Sequence, residues 1–138
     1  MKKNKSTQNS NSRDQKTEIL IIEDEAAQAY ALEAKLSVEG FKVQTTTSGK
    51  TGLSLTKKTK PDLVILDIVL PGIDGFEILK ELKEDGETAD IPVIIISQMG
   101  QKENIDQGMK LGAEDYLVKS EVNLGKIVAR VKQLLHHK

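Results

Sequence analysis

Cysteine is missing from all 138 residues of the chain, which excludes a disulfide framework and a thiolate-held zinc site. Histidine is nearly missing: the two present, His136 and His137, lie side by side near the end and offer a metal little. Such a composition fits a reducing compartment, and the cytoplasm is expected. Long apolar runs are missing too. No stretch approaches the ~20 apolar residues of a membrane span. Residues 1–17 hold no apolar side chain after Met1, which excludes a signal peptide, so no membrane contact is expected.

Positive charge is scarce where a nucleic-acid surface would need it. Residues 1–17 carry five basic and one acidic side chain, whereas the rest of the chain carries fifteen basic and twenty acidic, a net −5. No candidate helix gathers a basic face, so no direct nucleic-acid binding is expected. The Lys/Asn/Ser-rich stretch 1–17 reads as a disordered basic polar tail. The 38% hydrophobic content then supports one compact domain over 18–138.

What is present alternates. Ile19-Leu20-Ile21-Ile22 is a short β-branched run flanked by charges, followed by Ala29, Leu32 and Leu36 at helical spacing: a strand, then a helix. Gly40 ends that helix, and Phe41 to Thr46 reads as a second strand near an edge. Ser48 to Thr59 is the least regular helix, since Gly49 and Gly52 interrupt a thin apolar stripe. Pro61-Asp62 introduces Leu63-Val64-Ile65-Leu66, a run expected to be covered on both faces. Asp74-Gly75-Phe76-Glu77 predicts a capping box opening a helix through Leu82. Val93 to Ile96 is another covered strand, a polar helix from about Lys102 to Leu111 ends at Gly112, and Asp115 to Val118 makes a last short strand. Leu124, Ile127, Val128, Val131, Leu134 and Leu135 stripe a final helix. Five strands alternating with five helices predict an α/β fold, a (βα)5 doubly wound parallel sheet with helices on both faces.

Ligands of such sheets gather at the carboxyl ends of the strands. There the first strand ends at Glu23-Asp24-Glu25, the third at Asp67 and the fourth at Ser97, while the fifth runs into Lys119. Carboxylates gathered at one rim repel one another unless they share a cation, and magnesium, which takes oxygen ligands and works beside phosphate, suits them. Asp67 is then a nucleophile towards phosphorus, forming an acyl phosphate. The metal and Lys119 would neutralise the phosphoryl oxygens, and Ser97 would hydrogen-bond one of them. Taken singly, most of these residues also fit plainer roles. Asp24 fits a helix cap, Glu23 and Glu25 fit solvated charges near a helix N-terminus, Ser97 fits a turn hydroxyl, Lys119 a solvated lysine and Tyr116 half-buried packing. Asp67 does not, because carboxylates are rarely buried unpaired. Ser48-Gly49-Lys50-Thr51 mimics the end of a P-loop, but Gln44 stands where the first glycine would be.

Glu23-Asp24-Glu25, Leu66-Asp67 with Pro71-Gly72 and Asp74-Gly75 behind it, Ser97, and Tyr116-Leu117-Val118-Lys119 together resemble the receiver domain of two-component response regulators, the CheY-like fold. The resemblance covers about Glu18 to Lys138 and implies a flavodoxin-like strand order 2-1-3-4-5. It implies that Asp67 accepts a phosphoryl group from a sensor histidine kinase or a histidine phosphotransfer protein. Glu23, Asp24, Asp67 and the backbone carbonyl of Val69 would bind magnesium, and Ser97 and Lys119 would hold the phosphoryl group. Ser97 and Tyr116 would form a switch that remodels the face of the fourth helix, fifth strand and fifth helix for a downstream protein partner. The expected protein is a phosphoacceptor rather than an enzyme, catalysing only its own phosphotransfer and slow dephosphorylation. It would be a monomer or a phosphorylation-dependent homodimer. Because the chain stops soon after the fifth helix, a stand-alone receiver without an output domain is expected.

Some positions depart from the family pattern. Ser120 follows Lys119 where a proline after a cis peptide is usual, so the bond is expected either trans with a shifted loop or cis and strained by ~3 kcal/mol. Glu23 replaces the commoner aspartate, which suggests contact through a metal-bound water. Leu70 replaces a frequent methionine at similar volume. Val69 and Met99, which in the family flank the path of a hydrolytic water, are apolar here, so a long-lived acyl phosphate is expected. Two other classes fit less well. A haloacid-dehalogenase-like phosphatase would need an aspartate where Val69 stands, and a flavodoxin-like carrier would suffer repulsion between Glu23-Asp24-Glu25 and its cofactor phosphate. The remaining alternative is a phosphorylation-independent pseudo-receiver acting as a protein-interaction module.

Overall fold

The two runs with apolar residues on every face, β3 (Leu63–Leu66) and β4 (Val93–Ser97), are buried at every position, and they sit in the middle of the sheet. The weakly alternating β2 (Lys42–Thr46) lies at one edge. With β1 (Glu18–Ile22) and β5 (Asp115–Val118) they form one parallel five-stranded sheet in the order β2-β1-β3-β4-β5, as the resemblance implies. The computed structural model describes residues 16–136. The tail expected over 1–17 lies outside the described residues except for Lys16 and Thr17, as do His137 and the side chain of His136.

Period-two alternation divides the core into two layers. Ile19, Ile21, Leu63, Ile65, Ile94 and Ile96 pack on one face with α1 (Ala26–Val38) and α5 (Leu124–His136). Leu20, Ile22, Val64, Leu66, Val93 and Ile95 pack on the other, against α3 (Gly75–Glu84) and side chains of α2 (Gly49–Thr59) and α4 (Lys102–Lys110). Each layer hides residues that water would otherwise surround, which at ~25 cal/mol per Å² of apolar surface is the main support of the fold.

The irregular α2 owes its glycines to packing. A Cβ on Gly49 would come within 2.4 Å of Ile73 Cγ2, and one on Gly52 within 2.5 Å of Ile22 Cδ1. The helix begins where Ser48 accepts a hydrogen bond from the Thr51 amide. Asp74 caps α3 through the Phe76 amide at 2.9 Å. The expected capping box does not form among the described residues, since Asp74 reaches the Phe76 amide rather than that of Glu77 and no bond returns from the Glu77 carboxylate, and the helix continues to Glu84 rather than ending at Leu82.

Register sets the strand ends. Ile22 pairs with Leu66, so Glu23 and Asp67 emerge abreast, and the Asp67 amide donates to the Ile22 carbonyl at 2.9 Å. Ser97 pairs with Val118, which places Lys119 one residue past the same rim. The peptide after Lys119 is trans, and the chain leaves through a 3-10 turn, Lys119–Glu121. Of the two forms expected for that bond, the strained cis one is thereby set aside.

Gly75 fixes the rim from below. Its amide donates to the Ile68 carbonyl at 3.0 Å, and a Cβ there would fall 2.5 Å from Ile68 Cα and 2.9 Å from the Asp67 carbonyl oxygen. Backbone cannot swing aside as a side chain can. Gly75→Ala is therefore expected to cost about 1–3 kcal/mol through overpacking. Urea unfolding should show the lower midpoint, and amide chemical shifts should locate the displacement at Asp67 and Ile68.

Candidate functional site

Lys119 gathers the rim. Its Nζ stands 2.8 Å from Glu23 Oε1, 2.9 Å from Asp67 Oδ2 and 3.2 Å from Glu25 Oε1. An ammonium has three N–H donors, so these contacts use all of them. The side chains of Lys119, Glu23 and Asp67 are 10%, 10% and 6% exposed, whereas Glu25 is 55% exposed. One cation among three carboxylates leaves the group two negative charges in excess.

Burial by itself depresses the Lys119 ammonium, but hydrogen bonds to Asp67 and Glu23 outweigh it and hold its pKa above the ordinary lysine value. Burial pushes the Glu23 carboxyl above its ordinary 4.5; the Lys119 hydrogen bond and the Glu25 amide pull it down without cancelling that rise, and the Asp67 charge adds to it. Glu23 Oε2 also accepts from the Glu25 amide at 3.0 Å, which pins the carboxylate at both oxygens. Asp67 is pinned likewise, its Oδ1 accepting from the Val69 amide at 3.0 Å.

Ser97 and Tyr116 form a second group beside the first. Ser97 is fully buried, and its Oγ accepts from the Met99 amide at 3.2 Å. The Tyr116 ring lies inward, 8% exposed, and its hydroxyl donates to the Met99 carbonyl. Burial raises the phenol above its ordinary value, opposed by the Ser97 hydroxyl and reinforced by the Asp67 charge. Gly108 of α4 leaves room for the ring, since a Cβ there would lie 2.9 Å from Tyr116 Cδ2.

Of the residues expected from sequence, Glu23, Asp67 and Lys119 are brought together. Val69 joins them through its amide, and its side chain is 54% exposed. Asp24 is not brought in: it is exposed and makes no hydrogen bond or ion pair among the described residues, and Glu25 stands in the cluster instead. Nor does Asp24 cap α1, whose N-cap is Glu25. A cavity of about 360 Å³ opens beside Glu23, Asp67 and Lys119, walled by Leu32, Ile65 and Ile127.

The profile of the response regulator receiver domain matches residues 19–132. The chain belongs to that family. This receiver domain is 41% identical over 101 residues to protein PilH of Pseudomonas aeruginosa, covering 73% of this chain and 84% of PilH. It is 39% identical over 117 residues to the DNA-binding dual master transcriptional regulator RpaA of Synechocystis, covering 85% of this chain but only 48% of RpaA. In structure it matches the receiver domain of Francisella response regulator 1452 with a TM-score of 0.81 and 28% identity, over 88% of this chain and 98% of that one.

The acidic group of the receiver domain fits a divalent ion. Glu23, Glu25 and Asp67 each offer a carboxylate oxygen, all within 4.8 Å of one another, and hard oxygen donors with excess negative charge suit magnesium or calcium. Without a metal, an ionised Glu23 costs stability, chiefly through its burial and to a lesser extent through the Asp67 charge. Because the folded-state pKa of Glu23 is raised, its ionisation is penalised in the fold but not in the unfolded chain, so the penalty is absent well below pH 4.5 and grows as pH rises above it. In chelator, Glu23→Gln is thus expected to be more stable than the parent at neutral pH, with the difference vanishing in acid. Urea titrations at a series of pH values measure it, and a parent more stable than the variant at neutral pH would contradict it.

Proposed function

We propose that this receiver domain accepts a phosphoryl group on Asp67 from the phosphohistidine of a sensor histidine kinase or histidine phosphotransfer protein. The observation that carries this reading is a carboxylate at the end of a central strand, almost fully buried, with Lys119 2.9 Å away. The Asp67 oxygen attacks phosphorus, the phosphorus–nitrogen bond breaks, and imidazole leaves. Lys119 neutralises charge on the phosphoryl oxygens, and Ser97 turns its hydroxyl from the Met99 amide towards them. Glu23, Asp24, Asp67 and the Val69 carbonyl, with Glu25 close by, would hold a magnesium ion, which when bound offsets the charge of the phosphoryl group.

As Ser97 turns, Tyr116 and its surroundings adjust, and the α4–β5–α5 face changes its fit to a downstream protein, with the domain acting as a monomer or a phosphorylation-dependent homodimer. The protein catalyses only its own phosphotransfer and slow dephosphorylation. Among the described residues no helix is long and apolar enough to cross a membrane. A cytoplasmic location is part of the proposal.

Incubation with magnesium and acetyl phosphate should raise the intact mass by one phosphoryl group, and chelator or Asp67→Asn should abolish the gain. An unchanged mass would favour a phosphorylation-independent interaction module. Neither the exposed Val69 side chain nor the half-buried Met99 can orient a hydrolytic water. The acyl phosphate should therefore persist well beyond seconds, and Val69→Asn or Met99→Glu should speed its decay about tenfold, or ~1.4 kcal/mol of barrier. The loss of labelled mass with time after donor removal gives the rate.

A further inference from the structure

In this structure Lys119 has no N–H to spare, because Glu23, Asp67 and Glu25 occupy all three. A phosphoryl group arriving at Asp67 needs one of them, so one carboxylate must let go. Asp67 is the reacting group itself. Glu23 is 10% exposed and pinned at its other oxygen by the Glu25 amide, so freeing it would strand a buried charge. Glu25 differs on each count. It is 55% exposed, its contact with Lys119 is the longest at 3.2 Å, and its carboxylate has no second partner among the described residues.

Glu25 also has somewhere to go. It is the N-cap of α1, with extended backbone at φ −84 and ψ 99, yet its side chain makes no capping hydrogen bond. Among the described residues, the first-turn amides of α1 consequently have no side-chain acceptor while the carboxylate is turned to Lys119. A negative group near a helix N-terminus is favoured by the helix dipole. Two resting places therefore compete for one carboxylate, and an ion pair whose acidic partner stands in solvent holds it only weakly.

We infer that Glu25 is a displaceable latch on Lys119: a positioning residue that withholds the third N–H from the phosphoryl group and slows reaction of Asp67 with small anionic phosphodonors. This inference rests on the reading of Asp67 as phosphoacceptor. With the latch closed, the donor meets a saturated lysine and an extra negative charge at the mouth. With it open, Lys119 is free and the carboxylate lies against α1.

The test compares the parent with Glu25→Ala, which removes contact and charge, and Glu25→Gln, which keeps an acceptor of the same shape. With magnesium and acetyl phosphate, where the phosphorus–oxygen bond to acetate breaks and acetate leaves, Glu25→Ala should label roughly two- to fivefold faster, the range that an exposed pair implies. Glu25→Gln should fall between it and the parent. Labelling of Glu25→Ala no faster than the parent overturns the latch. Magnesium affinity, titrated by amide chemical shifts, separates a latch from a metal ligand. Affinity kept within a few-fold supports the latch, while a loss of an order of magnitude or more together with slower labelling overturns it.

A second readout needs no phosphoryl transfer. By nitrogen-15 NMR of the metal-free protein, the Lys119 ammonium protons should exchange with water faster in Glu25→Ala than in the parent. Unchanged exchange overturns the latch. Should the parent itself take no label, the phosphoacceptor reading fails alone, and the exchange measurement still decides whether Glu25 restrains Lys119.

Discussion

One ammonium facing three carboxylates is the constraint around which this domain is arranged. Lys119 can satisfy each partner with one N–H but cannot balance their charge, so the rim is held together and kept electrostatically incomplete by the same contacts. Holding such a group nearly out of water requires strong support. It comes from the apolar runs of β1, β3 and β4 beneath, whose burial on both faces leaves the strand ends little freedom. Gly75 adds a second restraint, with its backbone pressed against the peptide that carries Asp67.

The alternation that builds the core also sorts the site. Glu23, Asp67 and Lys119 continue the phase of Ile21, Ile65 and Leu117 and open towards the α1–α5 layer, where the cavity lies. Ser97 and Tyr116 continue the phase of Ile95 and Val118 and face the layer that packs against α4. Charge chemistry is thus gathered on one side of the sheet and the buried Ser97–Tyr116 pair on the other. Only the thickness of the sheet separates them.

Much of this was legible in the residues. Strand–helix alternation and the isolation of Asp67 after four apolar residues are local signals, and the sheet order and strand-end cluster match what the resemblance implied. The glycines of α2 were misleading, because their reason lies in contacts with Ile22 and Ile73 that neighbouring residues do not reveal. Glu25 replacing Asp24 beside Lys119 depends on the angle at which the chain enters α1, which three successive acidic residues leave open. The apolar Met99 side chain points to a role beside the hydrolytic path, whereas it is the Met99 backbone that bonds to Ser97 and Tyr116. No residue identity carries that information.

That backbone has a mechanical meaning. Through the amide and the carbonyl of one residue, Met99 is tied to Ser97 on β4 and to Tyr116 on β5. Two hydroxyls yoked to a single residue cannot choose their positions independently. Whatever moves one of them must carry the Met99 main chain with it or break its bond to it. The loop between β4 and α4 is therefore less a connection between elements than a clasp that ties the ends of β4 and β5 to one stretch of backbone.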